Sequence, residues 1–374
     1  MEPLTHIDRT LSAPALPGGL DTPAVVVDLD RVDANVARMQ ARLDERGVSL
    51  RPHAKTHKSP FFAARQLDAG AVGITVAVLG EAQVMADAGI QDVFVAYPVW
   101  AVGAKADRLR ELAGRVRLAV GVDSVEGARQ LGRALAGAAA GPEVLIELDS
   151  GEGRTGTDAT RVVAVARAVA DAGLTLRGVF THGGHAYQGP DRVAGAAEDE
   201  GSTLGAALHD LRDAGFEVRV VSAGSTPTAV ASAAGPVTEE RPGTYVFGDR
   251  QQANLGGSDP TTLALTVAAT VVSTAVPGRC VLDAGAKALA KDKPDWLAGH
   301  GVVPMLPGAV IRAVYDHHAV VELAEDTPAP RVGDVVGVVP NHACPVVNLT
   351  DELLLTRDGE LVERLPVLAR GRNR

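Results

Sequence analysis

The chain has 374 residues, of which 46% are hydrophobic and 22% charged, and its formal net charge at pH 7 is -10. This length predicts two domains or one large barrel with an addition, and the composition argues against wholesale disorder. The acidic balance leaves no basic face for a nucleic acid, so we expect an enzyme that acts on a small molecule.

The sequence shows neither a targeting segment nor a membrane span. The segment from Met1 to Leu20 lacks a basic start followed by an apolar core, and no stretch approaches the ~20 apolar residues that cross a bilayer. Two cysteines, Cys280 and Cys344, cannot form a disulfide framework. We therefore expect a cytoplasmic protein with no membrane partner.

Up to about residue 256, apolar β-branched runs alternate with helical stretches. Strands are predicted, in chain order, at 24–30, 48–51, 73–77, 92–97, 116–122, 143–149, 176–181 and 218–222. The clearest helices are 31–46, 80–88 and 160–172. The first of these helices repeats its apolar residues at spacings of four, three and four: Val32, Val36, Met39 and Leu43.

Repeated strand-then-helix units predict a parallel sheet. Eight or so units match a (β/α)8 TIM-like barrel better than a doubly wound sheet, since no Gly-x-Gly-x-x-Gly follows the first strand. The fold class predicted for this part of the chain is therefore an α/β barrel.

The pattern changes after about Gly256. Gly/Pro turns now separate strands with few helical stretches between them, at 263–273, 280–283, 318–323 and 332–340, which predicts a C-terminal all-β domain. The segment from Leu4 to Thr22 suits neither a helix nor a barrel strand, and we expect it to pack against that domain. The predicted organisation is a barrel over 22–256 and a β-domain formed by 1–21 together with 257–374.

A lysine with basic neighbours follows one of the predicted barrel strands. The octapeptide at 51–58, Arg-Pro-His-Ala-Lys-Thr-His-Lys, places Lys55 just past a strand end, where such barrels carry their catalytic groups. Like charges nearby favour the free amine, the form that reacts as a nucleophile. A solvated basic loop is the alternative interpretation.

Three more loops at predicted strand ends have small or polar residues. The loop 149–156 is glycine-rich and contains Arg154, a fixed cation for an anionic oxygen. Polar side chains at 181–187 suit a pocket wall or a general base, or else an ordinary surface loop. The loops 222–228 and 241–245 predict a phosphate nest, because barrels bind phosphate after their last strands; a plain Gly/Ser loop is the alternative.

Two potential metal ligands, His342 and Cys344, stand two residues apart near the C-terminus. A structural zinc site needs four ligands, and the chain lacks the cysteines for one. The pair is therefore interpreted as an open metal site completed by water or substrate, or else as a buried thiol beside a satisfied histidine. Cys280, inside an apolar strand, is interpreted as a core residue.

Together these motifs resemble those of the D-threonine aldolase and D-serine dehydratase family, pyridoxal-phosphate enzymes with the alanine-racemase-like fold (PLP fold type III), a barrel plus a β-domain. The resemblance runs from Thr22 to about Leu349 and is most specific at 51–58 and 340–348. It implies that Lys55 holds pyridoxal 5'-phosphate covalently. It also implies roles around the cofactor for Arg154 at the phenolic oxygen, Tyr187 by the ring, and, at or near the phosphate, Ser222, Gly224, Ser225, Gly243, Thr244 and Tyr245.

The same resemblance implies a divalent metal on His342 and Cys344, which is zinc or manganese, with magnesium a further candidate. His185 would be an acid/base close to the substrate hydroxyl, and Asp283 a carboxylate that supports the pocket. The implied partner is a small D-amino acid, and the implied assembly is a homodimer.

The activity implied is that of a lyase on D-β-hydroxy amino acids. If a base removes the hydroxyl proton, Cα–Cβ breaks to give glycine and an aldehyde, as in a D-threonine aldolase. If Lys55 removes the α-proton, water leaves and a 2-oxo acid and ammonia result, as in a D-serine or 3-hydroxyaspartate dehydratase. A thiolate ligand favours zinc and the dehydratase, whereas overall resemblance favours the aldolase, which is our main prediction.

A third interpretation is an amino-acid racemase, or a non-catalytic pyridoxal-phosphate carrier on the same fold. A racemase needs a second base facing Lys55 and has no use for the pair of His342 and Cys344.

Overall fold

The structure, a computed structural model, describes residues 4–374; Met1 to Pro3, on which part of the N-terminal predictions falls, lie outside the described residues. The chain divides into two compact units. The first, which we call the β-unit, contains the described residues up to Ala37 together with Thr56–Lys58 and Thr244–Arg370. The second, which we call the barrel unit, contains Arg38–Lys55, Ser59–Gly243 and Gly371–Arg374.

Strands and α-helices are numbered in the order in which they occur along the chain. The strands are β1 Ala24–Asp28, β2 Ser49–Leu50, β3 Ile74–Val76, β4 Asp92–Pro98, β5 Arg117–Val122, β6 Glu143–Glu147, β7 Thr175–Phe180, β8 Val220–Ala223, β9 Glu239–Glu240, β10 Leu265–Ser273, β11 Arg279–Leu282, β12 Gly301–Val302, β13 Val310–Val314, β14 Ala319–Glu322, β15 Val335–Pro340, β16 Glu352–Arg357 and β17 Glu360–Pro366. The α-helices are α1 Leu29–Asp44, α2 Pro60–Asp68, α3 Leu79–Asp87, α4 Ala104–Ala113, α5 Val125–Leu135, α6 Val162–Asp171, α7 Val193–Asp213, α8 Ala229–Ser232, α9 Arg250–Asn254, α10 Ala286–Leu289 and α11 Ala343–Leu349. Within residues 4–374, no helix is both long enough and apolar enough to cross a membrane.

Eight parallel strands form the sheet of the barrel unit, in the order β2-β9-β8-β7-β6-β5-β4-β3. A bridge between His53 and Thr75 links the two ends of this sheet. There the Ala54 N–H donates to Thr75 O and the Thr75 N–H donates to Pro52 O, each at 2.8 Å. The predicted α/β barrel is thereby confirmed, and the segment that leads to Lys55 is hydrogen bonded to β3.

The barrel interior is packed with side chains from neighbouring strands. One buried cluster takes a single residue from each of β4, β5, β6 and β7: Phe94, Ala119, Leu145 and Phe180. The two phenyl rings meet edge to face with centroids 5.1 Å apart. Such pairs add to the stabilisation from burial, and they use two of the six phenylalanines of an aromatic-poor chain.

The first predicted strand belongs to the other sheet. β1 pairs antiparallel with β10 and parallel with β16, so it lies in the sheet of the β-unit, although the strand-then-helix pattern counts it with the barrel strands. A strand buried on both faces has a continuous apolar run in either setting, which is why the sequence does not distinguish the two. The stripe predicted for α1 is confirmed, since none of its four apolar residues exceeds 6% exposure.

The β-unit has a nine-stranded, mostly antiparallel sheet. Its order is β13-β14-β11-β10-β1-β16-β17, with β15 also on β10 and β12 on β15. The four predicted strands correspond to β10, β11, β14 and β15, whereas the hairpin of β16 and β17 was not predicted because β17 is polar and almost fully exposed. From the N-terminal segment, Leu4, Ile7 and Leu11 pack in a cluster with Leu263 and Val339, as expected.

Candidate active site

Lys55 follows β2 in the barrel unit. Its N–H donates to His53 Nδ1 at 3.3 Å, which forms a local turn at the lysine. The sequence motif predicts Arg51 among the charges around Lys55. Arg51 instead donates to Glu239 Oε2 at 2.7 Å and to Asp92 Oδ1 at 2.5 Å, so two carboxylates compensate its charge. The Arg51 charge therefore does not add to the expected basic surroundings of Lys55.

His182, to which no sequence motif assigned a role, follows β7. Burial, and then the positive charges of Lys55, Arg154 and Arg241, hold the pKa of His182 well below its usual value. The ring is therefore neutral at pH 7, and its centroid lies 6.4 Å from that of Tyr187. A neutral ring influenced by three cations fits a planar anionic ligand such as pyridoxal phosphate.

The loops 149–156 and 181–187 approach each other closely. A Cβ placed on Gly184 would lie 2.2 Å from the Glu152 carboxyl carbon, so a larger residue at this position would require the Glu152 side chain to move. Arg154, which is 54% exposed, pairs with Glu152 at 3.3 Å. Arg154, the cation predicted for a ligand oxygen, is thus paired with a carboxylate that lies next to Gly184, the residue before His185.

His185 has a carboxylate on one ring nitrogen. Its Nε2 lies 3.1 Å from Asp199 Oδ2, while Nδ1 is buried and has no hydrogen-bond partner among the described residues. A carboxylate at Nε2 favours the tautomer with the proton on that atom, which leaves the Nδ1 lone pair as a proton acceptor. Tyr187 lies in the same short turn, Gly184–Gln188.

Ser222, at the end of β8, is fully buried and its hydroxyl is already bonded on both sides. It donates to Glu239 Oε1 at 2.7 Å and accepts from Arg241 Nη1 at 2.6 Å. Arg241 in turn lies over the Phe180 ring, with its guanidinium carbon 5.3 Å from the centroid. The predicted phosphate contact of Ser222 stays a prediction.

The turn after β8 brings Gly224 and Ser225 together. The Gly224 N–H donates to Glu200 Oε1 at 3.0 Å, and the Ser225 N–H donates to Thr228 Oγ1 at 3.0 Å. Gly243 ends the second long segment of the barrel unit, whereas Thr244 and Tyr245 are buried residues of the β-unit. Their predicted phosphate contacts likewise stay predictions.

In the β-unit, His342 follows β15 and precedes α11. Its Nδ1 lies 2.6 Å from Asp292 Oδ2, and the Cys344 thiol is within hydrogen-bonding range of its ring. Burial alone would lower the pKa of His342, but the Cys344 and Asp292 side chains raise it well above its usual value. Cys344 Sγ also lies 3.2 Å from Thr56 Oγ1.

This donor set fits a divalent cation. A carboxylate on Nδ1 of a histidine, as Asp292 provides here, is the arrangement in which carboxylates orient metal-bound histidines. Within the part of the chain that the structure describes, no three His, Cys, Asp or Glu side chains are grouped to hold a metal. His342 and Cys344 would therefore supply two ligands, and water or substrate the others.

Asp283 takes a place in the sheet of the β-unit. Its carboxylate accepts from Thr22 Oγ1 at 2.6 Å and from the Thr270 N–H at 2.8 Å. These bonds join the residue after β11 to β10 and to Thr22, two residues before β1, and they account for the buried carboxylate without a role in a pocket.

Three buried glutamates of the barrel unit were missed by sequence reasoning: Glu147, Glu200 and Glu240. Burial raises the pKa of Glu147 to about 7, against a smaller opposing effect of the Thr155 hydroxyl bonded to it at 2.9 Å. A glutamate at a strand end gives no local signal of burial. The available hint was that Glu147 directly follows an apolar run, Val-Leu-Ile, inside the predicted strand 143–149, whereas Glu200 and Glu240 lie in no predicted strand.

Comparison with known proteins agrees with these motifs. Residues 27–251 match the family model described as alanine racemase, N-terminal domain, and residues 264–356 match a putative serine dehydratase domain. The chain is 38% identical over 355 residues to a D-threo-3-hydroxyaspartate dehydratase of Delftia sp. (strain HT23), covering 87% of this chain and 91% of that protein. It is 36% identical over 381 residues to a D-threonine aldolase of Arthrobacter sp, covering 97% of both.

Solved structures give the same picture. The crystal structure of D-threonine aldolase from Filomicrobium marinum superposes with a TM-score of 0.87 at 32% identity, covering 97% of this chain and all of that one. Two variants of D-threo-3-hydroxyaspartate dehydratase superpose with TM-scores of 0.85 and 0.84 at 35% identity, covering 93% of this chain and 95% and 97% of theirs. In these variants a histidine and a cysteine two positions apart are replaced by alanine, and the cysteine variant is in a metal-free form. The fold, both domain matches and the relatives aligned along nearly their whole length lead to one assignment: the chain belongs to the family of alanine-racemase-fold enzymes that contains these D-threonine aldolases and D-threo-3-hydroxyaspartate dehydratases.

Proposed function

We propose that the protein is a lyase, dependent on pyridoxal phosphate and a divalent metal, that acts as a D-threonine-type aldolase and gives glycine plus an aldehyde. The observation that carries the proposal is the distance of 3.2 Å between Thr56 Oγ1 and Cys344 Sγ. Thr56 directly follows Lys55 in the motif 51–58, so the motif of the proposed cofactor lysine includes a residue that contacts the proposed metal ligand. Alignment with a D-threonine aldolase over 97% of both chains supports the same activity.

In this proposal Lys55 holds the cofactor, which supplies an electron sink for the bond that breaks at the substrate Cα. Arg154 provides a cation for its phenolic oxygen, and Tyr187 lies by its ring. The neutral His182 ring adds no further charge to the cationic surroundings of the cofactor. The turn that begins at Gly224 is the proposed phosphate site.

His342 and Cys344 would hold zinc or manganese, with magnesium a poorer match to a thiolate, and the ion would supply a Lewis acid for the substrate hydroxyl. Asp292 keeps the proton of the His342 ring on Nδ1 and so directs the other nitrogen towards a ligand. His185 is the proposed base, and Asp199 orients its ring through Nε2 at 3.1 Å.

A second candidate is a dehydratase that gives a 2-oxo acid and ammonia. The spacing of His342 and Cys344 favours it, because the two residues replaced in the D-threo-3-hydroxyaspartate dehydratase structures are also two positions apart. In this alternative Lys55 takes the α-proton, whereas His185 is not needed for the hydroxyl proton.

Product analysis separates the two activities. The purified protein, supplemented with pyridoxal phosphate and zinc or manganese, is given D-threonine and, separately, D-threo-3-hydroxyaspartate. Glycine with acetaldehyde or glyoxylate supports the aldolase, and 2-oxobutanoate or oxaloacetate with ammonia supports the dehydratase. Racemised substrate without cleavage or ammonia would contradict both and favour the racemase interpretation.

We further propose that the protein works as a homodimer in the cytoplasm, with a small D-amino acid as substrate and with neither a nucleic acid nor a membrane as partner. The resemblance to the family supports the dimer, and the acidic net charge of -10 supports the absence of nucleic acid. Light scattering on the purified protein tests the dimer through its mass in solution.

A further inference from the structure

Two buried glutamates meet at the turn that follows β8. Glu200 on α7 and Glu240 on β9 are both fully buried. Glu200 Oε1 accepts from the Gly224 N–H at 3.0 Å, while a Cβ placed on Gly224 would lie 1.7 Å from Glu240 Oε2. Both carboxyl groups therefore contact the backbone of the same glycine, which has a φ of 92°.

Each of the two carboxyl groups keeps one oxygen without a partner. Glu200 Oε2 and Glu240 Oε2 are buried and have no hydrogen-bond partner among the described residues, whereas Glu240 Oε1 accepts from Ser232 Oγ at 2.9 Å. Two ionised carboxylates that contact the same buried glycine repel each other, and a proton held by one of them relieves this repulsion. A proton on Glu240 Oε2 would provide the missing donor.

The neighbouring charges do not remove the need for this proton. The positive charge of Arg241 lowers the pKa of both glutamates. Its guanidinium, however, donates to Ser222 Oγ and to Thr181 O rather than to either glutamate. Burial, and then the Glu200 charge, raise the pKa of Glu240 well above its usual value, and Glu239 adds to the effect while Ser232 and Arg241 oppose it. Burial also raises the pKa of Glu200, against the Thr228 hydroxyl and two backbone N–H groups.

The pair is also attached to the loop that carries His185. Glu200 Oε1 accepts a second backbone bond, from the Gly183 N–H at 2.7 Å, and a Cβ on Gly183 would lie 2.8 Å from the Glu200 carboxyl carbon. One carboxylate thus holds the loops that follow β7 and β8 at once. A change in its charge state, or in that of Glu240, acts on both loops.

We propose that Glu200 and Glu240 are positioning residues that share one proton and thereby fix the turn at 224–228, so that loss of the proton at alkaline pH loosens this turn and weakens the binding of a phosphate-bearing cofactor. The identity of the ligand rests on the proposed function, whereas the shared proton does not. In this proposal the proton on Glu240 reduces the repulsion between the two carboxyl groups. Without the proton, two anions would lie against the backbone of Gly224.

The test compares the affinity of the holoenzyme for pyridoxal phosphate at neutral and alkaline pH in three proteins. Glu240→Gln keeps the shape and a donor towards Glu200 but has no proton to lose. Glu217→Gln makes the same change at an exposed position and serves as the matched control. Lys55 and the cofactor titrate in all three proteins, so the difference between their pH curves isolates Glu240.

We expect the wild type and Glu217→Gln to lose affinity at alkaline pH by at least about tenfold more than Glu240→Gln, the effect of one pKa unit. Parallel curves for wild type and Glu240→Gln would overturn the proposal.

A second readout does not need the cofactor. In a Glu147→Gln background the infrared spectrum should show a protonated buried carboxyl at neutral pH that is lost at alkaline pH, and adding Glu240→Gln should remove this band. Glu147 and Asp249 also have raised pKa values, so the difference between the two spectra isolates Glu240. Absence of this band at neutral pH overturns the shared proton. If the protein shows the band but binds no pyridoxal phosphate, the proposed function fails while the pair remains.

Discussion

Asp8 and Arg250 form a doubly hydrogen-bonded ion pair in which both side chains are fully buried. Arg250 Nε and Nη2 each donate to a carboxylate oxygen of Asp8 at 2.8 Å. Arg250 Nη1 donates to Asn341 Oδ1 at 3.0 Å, and Asn341 Nδ2 donates to Asp292 O at 2.8 Å. The N-terminal segment is therefore bonded to the residue before His342 and, through it, to the backbone of the residue whose carboxylate orients that histidine.

We expect Asp8→Asn to lower the free energy of unfolding by about 3–5 kcal/mol, because it leaves a buried guanidinium without its counter-charge. Burial alone would raise the pKa of Asp8, but Arg250 lowers it below its usual value. The stabilisation is therefore present above the unfolded-state pKa of Asp8 and is lost as pH falls through the folded-state pKa. Urea unfolding at neutral and strongly acidic pH measures both effects. Asp21→Asn, exposed in the same segment, is the control and should change stability little.

The space at Gly224 gives a prediction with a matched control. Gly224→Ala and Gly215→Ala both place a Cβ on a residue of positive φ, 92° and 85°, but only the first meets an atom, Glu240 Oε2. Gly215→Ala should cost about 1–2 kcal/mol of backbone strain. Gly224→Ala should cost about 1–3 kcal/mol more from overpacking, and it should also displace the turn at 224–228. Chemical unfolding and cofactor binding measure the two effects; equal losses in both variants would show that the carboxyl gives way freely.

Local motifs single out Lys55 and the pair of His342 and Cys344, since each lies within a few residues of distinctive neighbours, and the roles of these three residues stay predictions. The partners that define their surroundings were not predictable. Asp292 contacts His342 across 50 positions of sequence, and Asp8 contacts Arg250 across 242. The repeated strand-then-helix pattern predicted the barrel. The sheet to which β1 belongs depends instead on its pairing with β10 and β16, and local periodicity does not predict that pairing.

Glu147 makes the stability of the barrel unit depend on pH. Burial raises the pKa of Glu147 from an ordinary value of 4.5 to about 7, so the folded state binds the proton more tightly than the unfolded state. The stabilisation that protonated Glu147 contributes is therefore fully present below about pH 4.5 and is lost as pH rises through about 7. We expect Glu147→Gln, which does not ionise, to be more stable than wild type by up to about 3 kcal/mol at about pH 8 and therefore to unfold at a higher temperature. This advantage should disappear at about pH 4.5. Thermal unfolding across this range measures it, and a constant difference at all pH values would contradict the assignment.

The cofactor lysine is tested by absorbance. Lys55→Ala should remove the visible band of covalently bound pyridoxal phosphate and abolish turnover, because no other amine follows a barrel strand at this place in the sequence motif. Lys105→Ala, at an exposed position of α4, should keep the band unchanged. An unchanged band in the Lys55 variant would mean that another lysine holds the cofactor.

The metal ligands are tested by variants that leave the cofactor lysine in place. Cys344→Ala should lose the metal and the lyase activity while keeping the cofactor band, because Lys55 is unchanged. Asp292→Asn keeps both ligands but weakens the orienting bond to His342, so we expect metal affinity to fall about 10–100-fold. Cys280→Ala removes the other thiol, buried in β11, and should keep the metal. Metal content and activity are measured before and after a strong chelator. Activity that survives full removal of the metal would contradict the metal dependence proposed for both lyase activities, since the substrate hydroxyl would then need no Lewis acid.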